Sequence, residues 1–124
     1  MRWIVDGMNV VGSRPDGWWR NRRSAMSTLI EHLECWASTE GEDVTVVFEH
    51  PLSPPLESSI ITIAHAPRAA ADSADDHIVT LVQSAENPQD VRVATSDRAL
   101  SARVGALGAS VYPAQRLRDL IDPR

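Results

Sequence analysis

Short apolar runs alternate along this chain with longer segments in which apolar residues recur every three or four positions. The runs are rich in Val and Ile and predict buried strands over residues 2–6, 43–49, 60–66, 91–97 and 109–113. The helical spacing predicts helices over residues 24–37, 73–86, 98–108 and 114–122. Alternating strands and helices are typical of an α/β fold whose mainly parallel central sheet is flanked by helices. The 124 residues suit a single domain spanning 1–124.

Charge and cysteine content narrow the classes of protein. The net charge is −5, yet all 12 basic residues are arginines and four of them lie within residues 14–23. The sequence shows neither a membrane-length apolar run nor a secretory leader, so we expect a cytoplasmic protein without membrane contact. The single cysteine, Cys35, cannot form an internal disulfide, and its helix predicts a small buried apolar side chain.

Three predicted strands end in an acidic residue, namely Asp6, Glu49 and Asp97. The carboxyl ends of parallel strands share one edge of a sheet, which is where open α/β sheets bind ligands. Asp6 and Asp97 should therefore be neighbours if their strands are adjacent. Each also has a purely structural interpretation, because Asp97 precedes a helix that it could cap and Asp6 could bond the turn at Gly7.

The predicted helix 73–86 contributes further carboxylates. At about 100° per residue, Asp75 falls within the apolar arc of this helix, and Asp76 falls at its border. A carboxylate on the core face is not explained as a solvated charge, although an acid also suits a helix N-terminus. Asp72 either joins the same cleft or caps the helix.

Several carboxylates in one cleft repel each other and need a counter-charge. Hard oxygen ligands favour Mg²⁺ or Mn²⁺, and the scattered histidines and lone cysteine offer no zinc site. Such an ion polarises a phosphodiester and lowers the pKa of an attacking water.

Three motifs, "VDGMNVVGS", "ADDHIV" and "ATSDR", resemble in order and spacing the YacP-like branch of the NYN domains, within the PIN-like nucleases. The resemblance implies a PIN-like three-layer fold and Mg²⁺- or Mn²⁺-dependent cleavage of RNA. It implies the following site residues: Asp6, Asn9, Asp75, Ser96 and Asp97, with the three aspartates as metal ligands. Val79 stands where the family often has glutamate, so the sequence does not decide whether one or two metal ions bind. Asp76 and Asp72 are candidates to supply the missing carboxylate.

The arginine-rich segment after the first strand suggests a path for single-stranded RNA. The candidate phosphate contacts are Arg14, Arg20, Arg22, Arg23 and Arg98. Trp18 is a candidate to stack on a base or to cover the cleft. Trp19 lies seven residues before Met26 and is expected to continue the apolar stripe into the core. Glu49 is a weaker candidate for supporting the site.

Two other functions remain open at this stage. Asp6 could be the nucleophile of a small-molecule phosphatase, although haloacid-dehalogenase-type enzymes have a second aspartate where Met8 stands. A non-catalytic RNA-binding domain is the other alternative, which Val79 favours. RNA sequence preference, exo- or endonuclease action and assembly, as a homodimer or with a ribosome-associated partner, are not decided by the sequence.

Overall fold

The computed structural model of the chain describes residues 1–49, 53–66 and 73–122. The strands are β1 (Arg2–Asp6), β2 (Asp43–Phe48), β3 (Thr62–His65), β4 (Val91–Ala94) and β5 (Ser110–Tyr112). The helices are α1 (Gly7–Val11), α2 (Arg22–Glu40), α3 (Ser73–Gln83), α4 (Arg98–Ala106) and α5 (Ala114–Ile121). Short 3₁₀ turns occupy Trp18–Arg20 and Pro88–Asp90. The predicted order of strands and helices is confirmed, and α1 is an addition to it.

The described strands form one parallel sheet in the order β3-β2-β1-β4-β5. The central strand β1 pairs with β2 on one side, where Asp6 lies opposite Val47, and with β4 on the other, where Val5 lies opposite Ala94. The predicted α/β class is therefore confirmed. The carboxyl ends of β1 and β4 are neighbours, as the predicted site requires.

The residues of β1 alternate between two apolar layers, one on each face of the sheet. Trp3 and Val5 belong to the layer that α2 and α5 cover, whereas Ile4 belongs to the layer under α3 and α4. Both faces are buried because each strand of a parallel sheet is crossed by helices above and below. The strand ends are consequently the part of β1 from which polar groups can reach solvent.

Helix α1 begins directly after β1, and Gly7 makes this sharp transition sterically feasible. A Cβ atom on Gly7 would stand 2.4 Å from Cε1 of Phe48 and 3.0 Å from the carbonyl oxygen of Val47. Any larger residue would therefore collide with β2. The apolar pattern did not reveal α1, because five residues are too few to show a helical period.

Two expectations about burial are wrong. Cys35 is exposed, because the buried positions of α2 are Met26, Leu29, Ile30, Leu33 and Ala37 and Cys35 lies on the opposite side of the helix. Trp19 is half exposed instead of lying in the core, because helix α2 begins only after Asn21 and the stripe does not continue backwards. Among the described residues, the helices are too short or too polar to cross a bilayer.

Candidate active site

Asp6 is the buried centre of the predicted site. It ends β1 and occupies the N-cap position of α1, yet its side chain makes no capping hydrogen bond, and only 7% of the residue is exposed. Its Oδ2 instead accepts a hydrogen bond of 2.9 Å from the hydroxyl of Thr95, which follows β4. A buried carboxylate needs such donors, because it has lost those of water.

Burial raises the pKa of Asp6 from 3.8 to about 6. The hydrogen bond from Thr95 opposes this change by lowering the pKa, while the negative charges of Asp75, Asp97 and Glu49 raise it further. Asp6 therefore lies in the negative field of three other carboxylates. That field is unfavourable to ionised Asp6, and a bound cation would reverse it.

Asp97 lies in the adjacent turn, between β4 and α4. Its Oδ1 accepts a 2.9 Å hydrogen bond from the backbone N–H of Leu100, so it caps α4 as its structural interpretation required. Its own N–H donates to Oγ1 of Thr95 at 3.1 Å. Thr95 thus bridges the two strand ends, since one hydroxyl donates to Asp6 and accepts from Asp97.

Asn9 and Ser96 form a second connection between the same two turns. Oδ1 of Asn9 accepts a 2.8 Å hydrogen bond from the N–H of Ser96. The hydroxyl oxygen of Ser96 accepts a 3.0 Å hydrogen bond from the N–H of Ala114, at the start of α5. Asn9 therefore connects the turn after β1 to the turn after β4, and α5 is attached to the edge that carries the acids.

Asp75 and Asp76 have different surroundings although they are consecutive. Asp75 is partly buried in the first turn of α3, where its charge acts on Asp6. Asp76 is exposed and forms a 2.9 Å ion pair with Arg103 of α4. This pair holds Asp76 on the outer surface, which disfavours it as a compensating ligand. Asp72 lies outside the described residues, and Glu49 is exposed just beyond β2.

Carboxylate oxygens are suitable ligands for a hard divalent cation, but the acidic side chains that the structure describes are not already gathered around one point. Within residues 1–49, 53–66 and 73–122, no three Asp, Glu, His or Cys side chains are gathered closely enough to hold a metal ion. Mg²⁺ commonly keeps several waters and uses only one or two protein carboxylates. The field around Asp6 therefore fits such an ion, with water completing its coordination.

Arg14 serves the fold, in contrast to its predicted contact with phosphate. Its guanidinium forms ion pairs with Asp119 and Asp122 of α5, and these acids raise its pKa. Sequence reasoning missed Arg118, which donates to the carbonyl oxygens of Val10 and Val11 at 3.3 and 2.7 Å. Arg118 thereby supplies a donor to the carbonyl of Val11 at the end of α1, and it adds to the bonds that Ser13 makes with the carbonyl of Val10. Only the tertiary structure reveals this role.

The segment Trp18–Arg23 consists of a 3₁₀ turn followed by the first residues of α2. Trp18 is partly buried and packs against the core, whereas 50% of Trp19 is exposed. The guanidinium carbons of Arg20 and Arg22 lie 6.0 and 5.5 Å from the ring centroids of Trp19 and Trp18, respectively. Arg23 donates a 2.7 Å hydrogen bond to the carbonyl oxygen of Pro54, and Arg98 is exposed at the start of α4.

Comparison with known proteins agrees with this architecture. The chain is similar over 98% of its length to a crystal structure of Rae1 (YacP) from Bacillus subtilis and to that of a mutant form. The mutant protein is 26% identical in sequence to this chain, with a TM-score of 0.79, and 77% of its chain is covered. The other crystal structure is 24% identical, with a TM-score of 0.77, and 75% of its chain is covered. Among curated proteins no sequence match is found. The family model of the YacP-like NYN domain matches residues 3–123. The chain therefore belongs to the YacP-like NYN domain family, whose PIN-like fold is that of a nuclease-type superfamily.

Proposed function

We propose that this protein is a ribonuclease that hydrolyses RNA phosphodiesters with Mg²⁺ or Mn²⁺ held at the edge formed by β1 and β4. The observation that carries the proposal is the position of Asp6, which is buried in the negative field of Asp75, Asp97 and Glu49. Repelling carboxylates at a sheet edge are a costly arrangement unless a cation binds there. Membership of a nuclease-type superfamily, in which divalent metals are common, supports the same conclusion.

The three aspartates would hold the ion directly or through water. Asp6 offers Oδ1, since Oδ2 accepts from Thr95, and Asp97 offers Oδ2, since Oδ1 caps α4. Asp75 completes the set from the first turn of α3. When bound, the metal would neutralise charge on the phosphate and lower the pKa of the attacking water.

The neighbouring polar residues would keep these acids in place during the reaction. Thr95 fixes the rotamer of Asp6, and the contact between Asn9 and Ser96 fixes the distance between the two turns. Because these bonds exist before substrate binds, little reorganisation is needed when the phosphate arrives. We assign Asn9 and Ser96 to positioning the carboxylates and, through them, the scissile phosphate.

The arginines outside this network would bind the RNA backbone. Arg20, Arg22, Arg23 and Arg98 are the candidates, whereas Arg14 is already paired with two acids of α5. Phosphate contacts of this kind supply affinity without sequence preference and weaken as salt increases. We propose single-stranded RNA as the substrate, because the contacts come from a surface segment and one short turn.

A non-catalytic RNA-binding domain is the second candidate, and Val79 favours it, because this buried residue supplies no carboxylate where the family often has glutamate. The phosphatase alternative is disfavoured, because only 7% of Asp6 is exposed. In addition, Met8 occupies the place of the second aspartate that such enzymes have. A nucleophilic carboxylate has to reach the phosphorus atom.

Cleavage of labelled single-stranded RNA in Mg²⁺, in Mn²⁺ and in chelator tests the proposal. Asp6→Asn and Asp97→Asn should each lower the metal-dependent rate at least about a hundredfold, since losing even a supporting residue of a metal site costs 10–100-fold. Asp76→Asn, the exposed control, should cleave at the parental rate.

The other outcomes separate the alternatives. RNA that is bound but stays intact in both metals identifies a binding domain. Release of phosphate from a small monoester, with RNA untouched, identifies a phosphatase. Parental cleavage by Asp97→Asn would place the chemistry elsewhere.

A further inference from the structure

We infer that Trp19 is a stacking platform for an unpaired base of RNA, next to the phosphate-binding Arg20 and Arg22. This inference rests on the proposed function and adds a binding subsite to it. Half of Trp19 is exposed, so one part of its ring is open to a stacking partner. The role moves from Trp18, which the sequence favoured, to its neighbour.

The ring of Trp19 is held in a defined orientation. Trp18 contacts it edge to face, with ring centroids 6.0 Å apart and planes at 88°. Trp18 in turn packs against the core and lies over Gly12, where its Cζ2 would be 3.5 Å from an added Cβ. A ring held in this way loses little conformational entropy when a base stacks on it, which favours binding.

The platform lies at the same edge of the molecule as the acids. Helix α2 precedes β2 and runs back along the sheet, so its first turn is near the carboxyl ends of the strands. The bond from Arg23 to the carbonyl of Pro54 agrees with this position, since Pro54 lies in the first part of the segment that leads from the end of β2 to β3. A strand of RNA that crosses the acidic edge therefore passes near Trp19.

The charge around Trp19 suits a polyanion. Arg20 and Arg22 are exposed, and their guanidinium groups lie beside the two indole rings. Asp16 is the only acid between residues 14 and 23, and Arg118 neutralises it through a 2.5 Å contact. An aromatic face flanked by arginines is the arrangement with which proteins bind single strands, because each unpaired base exposes a π-face and each link a phosphate.

Binding measurements with labelled RNA in the Asp97→Asn background, with Mg²⁺ present, test this subsite without cleavage. Trp19→Ala should weaken binding of a single-stranded oligonucleotide roughly 5- to 150-fold, the range for loss of one stacked base. Trp19→Phe should retain most of the affinity. Ile60→Ala is the matched control, because Ile60 is also a large apolar residue and is 52% exposed. It lies just before β3 and therefore at the amino ends of the strands, away from the acids.

Two further readouts separate stacking from a general loss of structure or charge. Single-stranded RNA should quench the intrinsic fluorescence of the parent more strongly than that of Trp19→Phe. Duplex RNA, whose base faces are covered, should bind equally well to parent and Trp19→Ala. The melting temperature of Trp19→Ala should fall by only a few degrees, since half of the ring is exposed and the contact with Trp18 is what the variant loses.

The inference would be overturned if Trp19→Ala bound single-stranded RNA with the parental affinity, or if its affinity for duplex RNA fell by the same factor. A parent protein that binds single-stranded DNA more tightly than single-stranded RNA would also overturn it. These results differ from failure of the nuclease proposal. If RNA is never cut but its binding depends on Trp19, the stacking subsite is supported and the nuclease proposal is not. RNA that is cut in a metal-dependent way but binds independently of Trp19 removes the platform alone.

Discussion

Two adjacent turns at one edge of the sheet carry an aspartate at the same local position and use it in opposite ways. Asp6 and Asp97 both follow a parallel strand, and both occupy the N-cap position of the next helix. Asp97 caps its helix through the N–H of Leu100. Asp6 makes no such bond and is buried against Thr95.

The difference shows that the surroundings, more than the local sequence, determine what an acid at a strand end does. Burial disfavours the ionised form, and the pKa of Asp6 is raised accordingly. Of the two, Asp6 is therefore the residue that a bound cation would change most.

The largest effect is expected where the first turn is packed most tightly. Gly7→Ala should lower the free energy of unfolding by about 3 kcal/mol, because overpacking a rigid site typically costs 1–3 kcal/mol and β2 is in direct contact. Gly105→Ala in α4 is the control, since an added Cβ would meet nothing within 4 Å. It should stabilise the protein by about 0.5–1 kcal/mol. Urea unfolding measures the stability of both variants. A change in the free energy of unfolding with the same sign for both would contradict the packing argument.

Removing the buried charge should stabilise the protein at neutral pH. The folded-state pKa of Asp6 is about 6 and its ordinary value is 3.8, so ionisation penalises the folded state. The penalty is absent below the lower value, grows as the pH rises between the two and is complete above the higher one. Without divalent cations, Asp6→Asn should exceed the parent by about 2–3 kcal/mol near pH 8, and the difference should vanish below about pH 3.

Asp97→Asn provides the comparison in the second turn. Asparagine caps helices as well as aspartate does, so the stability of this variant should stay within about 0.5 kcal/mol of the parent. Denaturant titrations across the pH range measure both variants. A less stable Asp6→Asn near neutral pH would show that the buried carboxylate is not penalised.

Thr95→Val should weaken both turns at once, with a smaller effect. The valine keeps the shape of threonine but leaves Oδ2 of Asp6 without its donor and the N–H of Asp97 without its acceptor. Stability should fall by about 1–2 kcal/mol, as expected for unsatisfied buried groups. The pKa of Asp6 should rise further, because the bond from Thr95 lowers it. Thr95→Ser should recover most of both properties in thermal melts and carboxyl NMR titrations; no recovery would exclude the hydroxyl as the cause.

Much of the fold followed from the sequence, because apolar periodicity is local and parallel strands obey simple topological rules. The adjacency of β1 and β4 confirmed that the turns containing Asp6 and Asp97 are neighbours. The exposure of Trp19 did not follow, because the backbone of Asn21, at φ −150° and ψ 84°, interrupts the helical phase that the prediction extended.

The role of Thr95 could not be predicted either. Its hydroxyl bonds a carboxylate 89 positions earlier in the chain, and no local pattern encodes such a pair. The useful signal is a hydroxyl residue between an apolar strand and an acid. That signal becomes informative only when the neighbouring strand is known.

The hydrogen bond between Ser96 and the start of α5 has a consequence for biosynthesis. Thr95 follows Asp6 by 89 positions, and Ala114 follows Ser96 by a further 18, so both bonds form only after a long stretch of chain has been made. A chain synthesised from its N-terminus cannot join α5 to the turn after β4 until Ala114 has been made. A polypeptide that stops before β4 carries Asp6 without Thr95 and Asp97, so the groups that surround Asp6 come together late in synthesis.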